Sequence, residues 1–394
     1  MSFFRDLNLS AATAGFVAVL VGFTSSVAIV FQAAQAFGAT PELITSWMWA
    51  LGLGMGLCSA IPSLILKKPV MVAWSTPGAA VLATAGLAGG FTMAQAVGAF
   101  MACAVLIILS GATGLFERVM NRIPMAIASA LLAGVLARFG LQAFAAAQTA
   151  LPLVVLMLLA YLLGRRFLPR YAVPLTLLVA VVTVVANGQF NAGALTLQWA
   201  VPVFTAPEFT FGAFVSLALP LFIVTMASQN LPGVAAIRAA GYHMPISRII
   251  TMTGVATLVL APFGGYALNL SAITAAICMG EEAHADKDKR YTAAVACGLI
   301  YIAIGLVGAA VTGLLLAFPK ELVLAIAGLA LLGSIGSGLH AALKDDAHRE
   351  AALITFLVTL SGVVIAGIGS AFWGVVAGAL ALFVQQYGAR KHTP

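Results

Sequence analysis

Long runs without a charged side chain are the feature that most limits how this chain of 394 residues can fold. The longest extends from residue 69 to residue 116, and others cover residues 7–41, 209–237 and 351–389. A helix crosses the hydrocarbon core of a bilayer with about 20 apolar residues, so each run is long enough for one crossing and the longest for two. The composition, 62% hydrophobic and 8% charged, excludes an ordinary soluble domain. The sequence therefore predicts a membrane protein with many spans.

Dividing these runs at Gly, Pro and polar breaks predicts an all-α polytopic protein with about 14 transmembrane segments. The first covers residues 10–36, and the eighth ends near residue 231. With the N-terminus in the cytoplasm, only Arg138 and Lys320 of the 19 Lys and Arg residues fall in outer loops. Because basic residues favour cytoplasmic loops, this distribution predicts that both termini are cytoplasmic. The net charge of +7 then reflects topology, and no nucleic-acid partner is expected.

The segment 69–87 looks like a strand followed by a helix that starts inside the membrane. An extended stretch at 70–74 ends in Trp74, and Ser75, Thr76, Pro77 and Gly78 follow. Ser75 or Thr76 is a preferred N-cap, and proline suits the first helical turn. A helix that begins within the bilayer leaves N–H groups unpaired, which is tolerated only where protein or a watered cavity surrounds them. Such N–H groups and the helix dipole favour an anion.

A second segment of the same kind lies at residues 266–278. Its extended part contains Asn269, Ser271 is the expected cap, and Thr274 lies in the first helical turn. Each segment is the third span of its half, and seven spans per half require the second half to insert upside down. Paired interrupted spans in two inverted halves indicate a transporter binding site. The sequence thus predicts a 7+7 inverted repeat with an anionic or strongly polar substrate between the two half-helices.

Two further groups of polar residues are candidates for function. Gln229 and Asn230 end the eighth span, where adjacent carboxamides are costly unless they are hydrogen-bonded. They are interpreted as substrate-binding residues, and a purely structural contact between helices is the alternative. Glu281, Glu282 and His284 begin the densest cluster of charges in the chain. This cluster is either an ordinary solvated cytoplasmic loop or a gate or proton relay, since His and Glu exchange protons near neutral pH.

Glycine patterns and missing motifs limit the other functions. The glycines at 52, 54 and 56 follow no strand, and those at 374 and 378 lie in a span, so both sets predict close helix packing. The sequence has no phosphate-binding Gly-x-x-x-x-Gly-Lys, no His-Glu-x-x-His and no Gly-x-Ser-x-Gly. An ATP-driven pump and an intramembrane hydrolase are therefore disfavoured, and no enzyme activity, cofactor or metal is expected.

Several segments together resemble one known family. They are residues 73–80, 224–230, 272–278, 282–288 and 368–374. In these segments the chain is similar to the bacterial benzoate:proton symporters of BenE type, which are related to nucleobase permeases and to sulfate and bicarbonate transporters. The resemblance covers essentially the whole chain. It implies import of benzoate or a similar aromatic monocarboxylate with a proton, by elevator-like alternating access, across the bacterial inner membrane.

The resemblance also implies a division of the chain into two domains. The core domain would comprise residues 1–117 (segments 1–4) and 208–318 (segments 8–11), and the gate domain residues 118–207 (segments 5–7) and 319–394 (segments 12–14). A homodimer through the gate domains, surrounded by lipid, follows by analogy. The implied substrate site is formed by Trp74, Ser75, Thr76 and Gly78 on one side, Asn269, Ser271 and Thr274 on the other, and Gln229 with Asn230.

The alternatives at this point are a nucleobase or inorganic-anion transporter of the same fold and, in another class, a channel or a receptor that does not transport. Nucleobase permeases carry a Glu and a His where this chain has Gln229 and Asn230, so the amides favour the aromatic acid.

Overall fold

The computed structural model describes residues 2–24, 26–87, 90–190, 199–307, 318–363, 365 and 370–386. Within these ranges the chain is almost entirely helical, with one pair of short strands, β1 (Val72–Trp74) and β2 (Leu268–Leu270). The helices are α1 (Ser2–Asp6), α2 (Leu9–Thr24), α3 (Val27–Ala36), α4 (Pro41–Leu66), α5 (Thr76–Leu87), α6 (Met93–Ala112), α7 (Leu115–Met120), α8 (Met125–Ala145), α9 (Ala147–Phe167), α10 (Ala172–Ala186), α11 (Phe211–Ala239), α12 (Ile246–Leu260), α13 (Ile273–Met279), α14 (Tyr291–Val307), α15 (Lys320–Leu343), α16 (Arg349–Ser361) and α17 (Ser370–Gln386).

Eight helical segments in the described part of the chain are long and apolar enough to cross a membrane. They are α4, α6, α8, α9, α11, Ile246–Phe263, Lys287–Val307 and α15. Three shorter apolar helices, Leu9–Phe23, Ala172–Ala186 and Phe372–Gln385, accompany them. The prediction of a mostly helical protein with many membrane spans is confirmed. The number 14 and the inverted repeat stay predictions, and part of the expected eleventh span, residues 308–317, lies outside the described residues.

The two strands form an antiparallel pair at the centre of the fold. Ala73 is opposite Asn269, and the ladder extends to the N–H of Ser75, which donates to the carbonyl of Ala267 at 3.1 Å. At the other end of the pair, the N–H of Ser271 donates to the carbonyl of Met71, the residue directly before β1, at 3.0 Å. Since the strands are antiparallel, α5 and α13 leave the pair in opposite directions. The two predicted half-helices therefore begin at opposite ends of the same short strand pair.

Helix α4 satisfies the outer edge of β1. The N–H of Val72 donates to Ser59 Oγ at 3.0 Å, and the N–H of Val70 donates to Ser63 Oγ at 2.9 Å. Both serines are completely buried. An open sheet edge away from water would leave backbone groups unpaired at a cost of several kcal/mol each, so these hydroxyls make a strand possible at this depth.

Helices α11 and α12 satisfy the edge of β2 in the same way. The N–H of Leu268 donates to Thr257 Oγ1 at 3.0 Å, and the N–H of Leu270 donates to Asn230 Oδ1 at 2.9 Å. Thr257 and Asn230 are also completely buried. The two-stranded sheet is thus held on both sides by side chains from neighbouring helices.

Glycines set the distance between α4 and α14. A Cβ at Gly56 would lie 2.5 Å from the carbonyl oxygen of Gly298, and a Cβ at Gly52 would lie 2.8 Å from Cα of Gly305. The two backbones are therefore in contact along two turns, as small residues allow in membrane helices. This geometry confirms helix packing, and not a cofactor loop, as the role of Gly52 and Gly56.

The glycines of α17 have the same role against α16. A Cβ at Gly374 or Gly378 would collide with the hydroxyl of Thr359 or Thr355. The packing prediction for this pair is confirmed as well.

The expected first span is divided into α2 and α3. Helix α2 ends at Thr24 and α3 begins at Val27, and between them the Ser26 hydroxyl donates to the carbonyl of Gly22 at 2.9 Å. A serine that bonds back to its own helix competes with the backbone ladder, which favours a bend or a break. This break matters because Ser26 reaches the candidate site.

Helix α11 is longer than the sequence predicts and continues past residue 231 to Ala239. It contains two π turns, Phe214–Ala218 and Met226–Asn230, and each ends two residues before a proline, Pro220 or Pro232. Proline cannot donate to the carbonyl four residues earlier, and a wider turn accommodates it without ending the helix. The predicted end of the eighth span near residue 231 was therefore wrong.

Candidate functional site

Ser75 caps α5, as the sequence predicts. Its Oγ accepts the N–H of Gly78 at 3.1 Å, and the hydroxyl of Thr225 on α11 donates to the same oxygen at 2.9 Å. Ser75 is completely buried. A Cβ at Gly78 would lie 2.6 Å from Leu221 Cδ1 and 2.7 Å from Ser75 Oγ, so a larger residue would require the leucine and the cap to shift. The N–H of Thr76, in the first turn of α5, has no acceptor within its own helix.

Trp74 forms an aromatic wall beside this turn. Its indole Nε1–H donates to Ser26 Oγ at 2.9 Å, and its ring lies 5.5 Å from the ring of Phe23 at an interplanar angle of 59°. Trp74 is 3% exposed and Phe23 is fully buried. The break between α2 and α3 thus positions the indole of the strand that leads into α5.

Tyr266, in contrast, belongs to a different aromatic cluster. Its ring lies 5.8 Å from that of Trp47 and 6.0 Å from that of Phe100. It therefore packs between α4 and α6 and not against Trp74.

The second half-helix, α13, begins at Ile273 and has Ala272, and not the expected Ser271, at its N-cap position. Ser271 Oγ accepts the N–H of Thr274 at 3.4 Å, the same spacing of three residues as Ser75 and Gly78. Asn269 Nδ2 donates to the carbonyl of Ala267 at 3.1 Å. Among the described residues, no partner reaches Asn269 Oδ1 or Thr274 Oγ1, although both atoms are buried. A buried polar atom without a partner costs about 1–3 kcal/mol, so these two mark a place for a polar ligand or water.

The two adjacent carboxamides differ in their surroundings. Asn230 is fully buried, accepts the N–H of Leu270 and directs its Nδ2 at Met226 Sδ, 3.1 Å away. Gln229 is half-buried and has no hydrogen-bond partner among the described residues. Both lie in the π turn of α11, and such turns are frequent at functional sites. The geometry therefore gives Asn230 a positioning contact and leaves Gln229 available.

The charged cluster lies at the far end of α13, away from the strands. Glu282 is 9% exposed and its Oε1 lies 3.0 Å from Arg165 Nη1, whereas Glu281 is exposed. His284 Nδ1 accepts the N–H of Asp286 at 2.9 Å. The backbone N–H of the following Asp288 holds the pKa of the Asp286 carboxyl below its ordinary value.

The structure thus brings together most of the sequence-predicted residues and separates the rest. Strand pairing and the contacts of α11 place the residues of both half-helices and of the π turn around one junction. Glu281, Glu282 and His284 follow Thr274 by seven or more residues, which is about 10 Å or more along the chain direction of α13. Sequence reasoning missed Ser26 and Thr225 as partners of the site and Arg165 as the partner of Glu282.

Comparison with known sequences assigns the family. Residues 5–384 match the family described as "Benzoate membrane transport protein". The chain belongs to the benzoate membrane transport family. Its resemblance to that family is confirmed over nearly the whole sequence.

Two curated members of the benzoate membrane transport family are close in sequence. The chain is 48% identical over 371 residues to "Inner membrane protein YdcO" of Escherichia coli (strain K12), covering 94% of each protein. It is 43% identical over 381 residues to "Benzoate membrane transport protein" of Acinetobacter baylyi (strain ATCC 33305 / BD413 / ADP1), covering 96% of each. This family member is accordingly a membrane transport protein and not an enzyme.

Two solved structures were also matched to this family member. The transmembrane domain of a cyanobacterium bicarbonate transporter BicA is 14% identical, with a TM-score of 0.44 and coverage of 98% of each chain. The structure of SLC26A9 is 12% identical, with a TM-score of 0.43, covering 92% of this chain and 66% of that chain.

Proposed function

We propose that this member of the benzoate membrane transport family imports benzoate, or a similar aromatic monocarboxylate, with a proton across the bacterial inner membrane. The observation that carries the proposal is the buried junction where α5 begins beside an aromatic pair and beside polar atoms that lack partners. Family membership and the name of the Acinetobacter relative support the substrate. The name of the Escherichia coli relative supports the inner membrane.

The first turn of α5 receives the carboxylate. This helix has 12 residues, so its N-terminus carries the partial positive charge of a helix dipole. The N–H and hydroxyl of Thr76 and the amide of Gln229 are the donors that are not already used. A hydrogen bond to a charged group contributes about 1.5–3 kcal/mol, so two or three such donors contribute about 3–9 kcal/mol before the entropic cost of association. Ser75 and Gly78 act indirectly, by fixing the turn.

The aromatic ring of the substrate lies against Trp74 and Phe23. The bond from Trp74 Nε1 to Ser26 uses the polar edge of the indole, so the substrate ring contacts its π face. Aromatic pairs contribute about 0.5–1.5 kcal/mol beyond the burial of their area. This wall distinguishes an aromatic acid from sulfate or bicarbonate, which gain nothing from it.

The second half-helix completes the polar side of the site. Asn269 and Thr274 supply the buried atoms without partners, and Ser271 orients the turn that carries Thr274. Helix α13 has only seven residues, so its dipole contributes less than that of α5. Asn230 is a positioning residue in this proposal, because its oxygen already accepts from β2.

The proton balances the charge of the substrate. A carboxylic acid with a pKa of about 4 reaches the protein as an anion. Moving one negative charge inward against a membrane potential costs about 2.3 kcal/mol per 100 mV, and one proton per anion removes this cost. In the described residues, the acidic side chain that is at least nine-tenths buried is Glu282, which lies at the cytoplasmic end of the fold.

Alternating access follows from movement of the core domain against the gate domain. The core, residues 1–117 and 208–318, contains both half-helices and α11, so the whole site moves as a unit. The gate, residues 118–207 and 319–394, contains α8 and α15 and supplies the fixed wall and the dimer contact. Both termini lie in the cytoplasm in this arrangement.

Ligand-induced stabilisation of the purified protein tests the substrate. A ligand that binds only the folded state adds about 2.7 kcal/mol of stability at 100 times its dissociation constant. Benzoate is expected to raise the melting temperature, and Thr76→Val or Gln229→Ala to reduce that rise. Stabilisation by uracil, xanthine or sulfate with none by benzoate would overturn the assignment of the substrate.

A further inference from the structure

Arg165 and Glu282 form an ion pair between elements that are far apart in the sequence. Arg165 lies in the last turn of α9, and Glu282 lies three residues after the end of α13. Nη1 and Oε1 are 3.0 Å apart, and the two side chains are 42% and 9% exposed. The carboxylate is therefore nearly removed from water, while much of the guanidinium still faces it.

The pair lines a cavity of about 350 Å³ between the two proposed domains. Small side chains form most of its wall, which includes Ala236 and Ala239 of α11, Ala276 and Met279 of α13, and Gly333 and Ser337 of α15. Ala276 and Met279 follow Thr274 by two and five residues, which is about 3–8 Å along the axis of α13. The cavity thus begins immediately on the cytoplasmic side of the candidate substrate site.

The two arginines of this cavity differ in the use of their donors. Arg290 is 9% exposed and donates to the carbonyls of Met279 and His284, both at 2.8 Å, so it holds the loop together. A guanidinium carries five N–H donors in a planar fork. In the described residues, Arg165 uses one of them, on Glu282. Arg165 therefore keeps donors that a second carboxylate can reach.

Two glycines make the room that Glu282 occupies. A Cβ at Gly333 of α15 would lie 2.9 Å from Glu282 Oε1, and a Cβ at Gly280 would lie 3.1 Å from Oε2. The carboxylate is thus seated between the core loop and a gate helix. A substrate carboxylate can replace that of Glu282 on Arg165, so the guanidinium keeps a charged partner during the exchange.

We infer that Arg165 is a second binding site for the substrate carboxylate, on the cytoplasmic side, and that Glu282 competes for it as an internal carboxylate. The substrate leaves the half-helix site, exchanges with Glu282 on Arg165 and then passes to the cytoplasm. The inference rests on the proposed function, since it assumes a carboxylate substrate. It adds a site that is separate from the strands and half-helices.

The test compares the two faces of the membrane. Initial rates of benzoate transport are measured in inside-out and right-side-out vesicles for the wild type, Arg165→Lys and Glu282→Gln. Lysine keeps the charge and loses the fork, so KM at the cytoplasmic face is expected to rise about tenfold through loss of one charge-assisted hydrogen bond. KM at the outer face is expected to change by less than about twofold, because substrate that enters from that face does not bind Arg165 first. Glu282→Gln removes the competitor and lowers KM at the cytoplasmic face.

Arg166→Lys is the matched control, because Arg166 is exposed and lies over the ring of Phe167 and not over the cavity. The double variant Arg165→Gln with Glu282→Gln leaves no single charge behind and shows by gel filtration whether the region folds without the pair. The inference is overturned if Arg165→Lys behaves like Arg166→Lys, if it raises KM equally at both faces, or if Glu282→Gln raises KM. Wild-type vesicles without saturable benzoate transport would refute the proposed function instead.

Discussion

Replacing Asn230 by alanine removes the acceptor of the Leu270 N–H, a bond of 2.9 Å at a fully buried position. The orphaned N–H costs about 1–3 kcal/mol, which corresponds to a fall of about 5- to 150-fold in the ratio of folded to unfolded protein. Its neighbour Gln229 is half-buried and has no hydrogen-bond partner in the described part of the chain. Gln229→Ala therefore leaves stability nearly unchanged and weakens substrate binding.

The two variants are a matched pair, because they remove neighbouring carboxamides from the same π turn. Stability is measured by unfolding of the purified proteins in detergent, and substrate binding by the concentration of benzoate that gives half of the maximal stabilisation. The expected pattern is a large loss of stability for Asn230→Ala and a loss of benzoate affinity for Gln229→Ala. Equal losses of stability, or a stable Asn230→Ala with a selective loss of benzoate binding, would refute the assignment of the two roles.

Three further predictions concern other parts of the fold. Ser75→Ala removes the cap of α5 and the acceptor of the Thr225 hydroxyl, so it lowers stability by about 1–2 kcal/mol and also weakens benzoate uptake. Ser75→Thr keeps a hydroxyl and retains most of the stability and most of the uptake. Gly56→Ala places a Cβ against the α14 backbone and destabilises the protein. Gly336→Ala adds a Cβ in open space within α15 and raises stability by about 0.5–1 kcal/mol. Thermal unfolding of the two variants compares these effects. Burial raises the pKa of the Tyr242 phenol to about 12 from an ordinary value of 10, so between these values the unfolded chain loses its proton first and stability falls as pH rises. Tyr242→Phe removes the contribution of this phenol, so the alkaline decline is smaller in pH-dependent unfolding.

Features with a local physical signal could be predicted from the sequence. Ser75 is correctly predicted as a cap, and Ser271 lies one residue before the observed cap position, because a hydroxyl before a helical run is a strong local sign of a helix start. The glycines at 52 and 56 predicted close packing because no other residue type allows two backbones to touch. The family resemblance came from several short motifs together.

Features that depend on contacts between distant segments could not be predicted. Ser59, Ser63 and Thr257 satisfy the strand edges, but an isolated hydroxyl in an apolar helix more often bonds to its own backbone. Arg165 was assigned only to an inner loop, because nothing near it in sequence indicates a carboxylate 117 positions away. The eighth span was predicted to end near residue 231, because a proline more often ends a helix than continues it through a π turn.

The central claim is that benzoate enters with a proton at the junction of the half-helices. The most direct measurement is the initial rate of benzoate uptake into proteoliposomes with an acidic exterior, after subtraction of the rate in protein-free liposomes, where the neutral acid diffuses passively. The account predicts a saturable, protein-dependent rate that falls when a protonophore removes the pH gradient, falls in Thr76→Val and Gln229→Ala, and is unaffected by excess uracil or sulfate. A protein-dependent rate that does not respond to the pH gradient, or that uracil or sulfate abolishes, would contradict it.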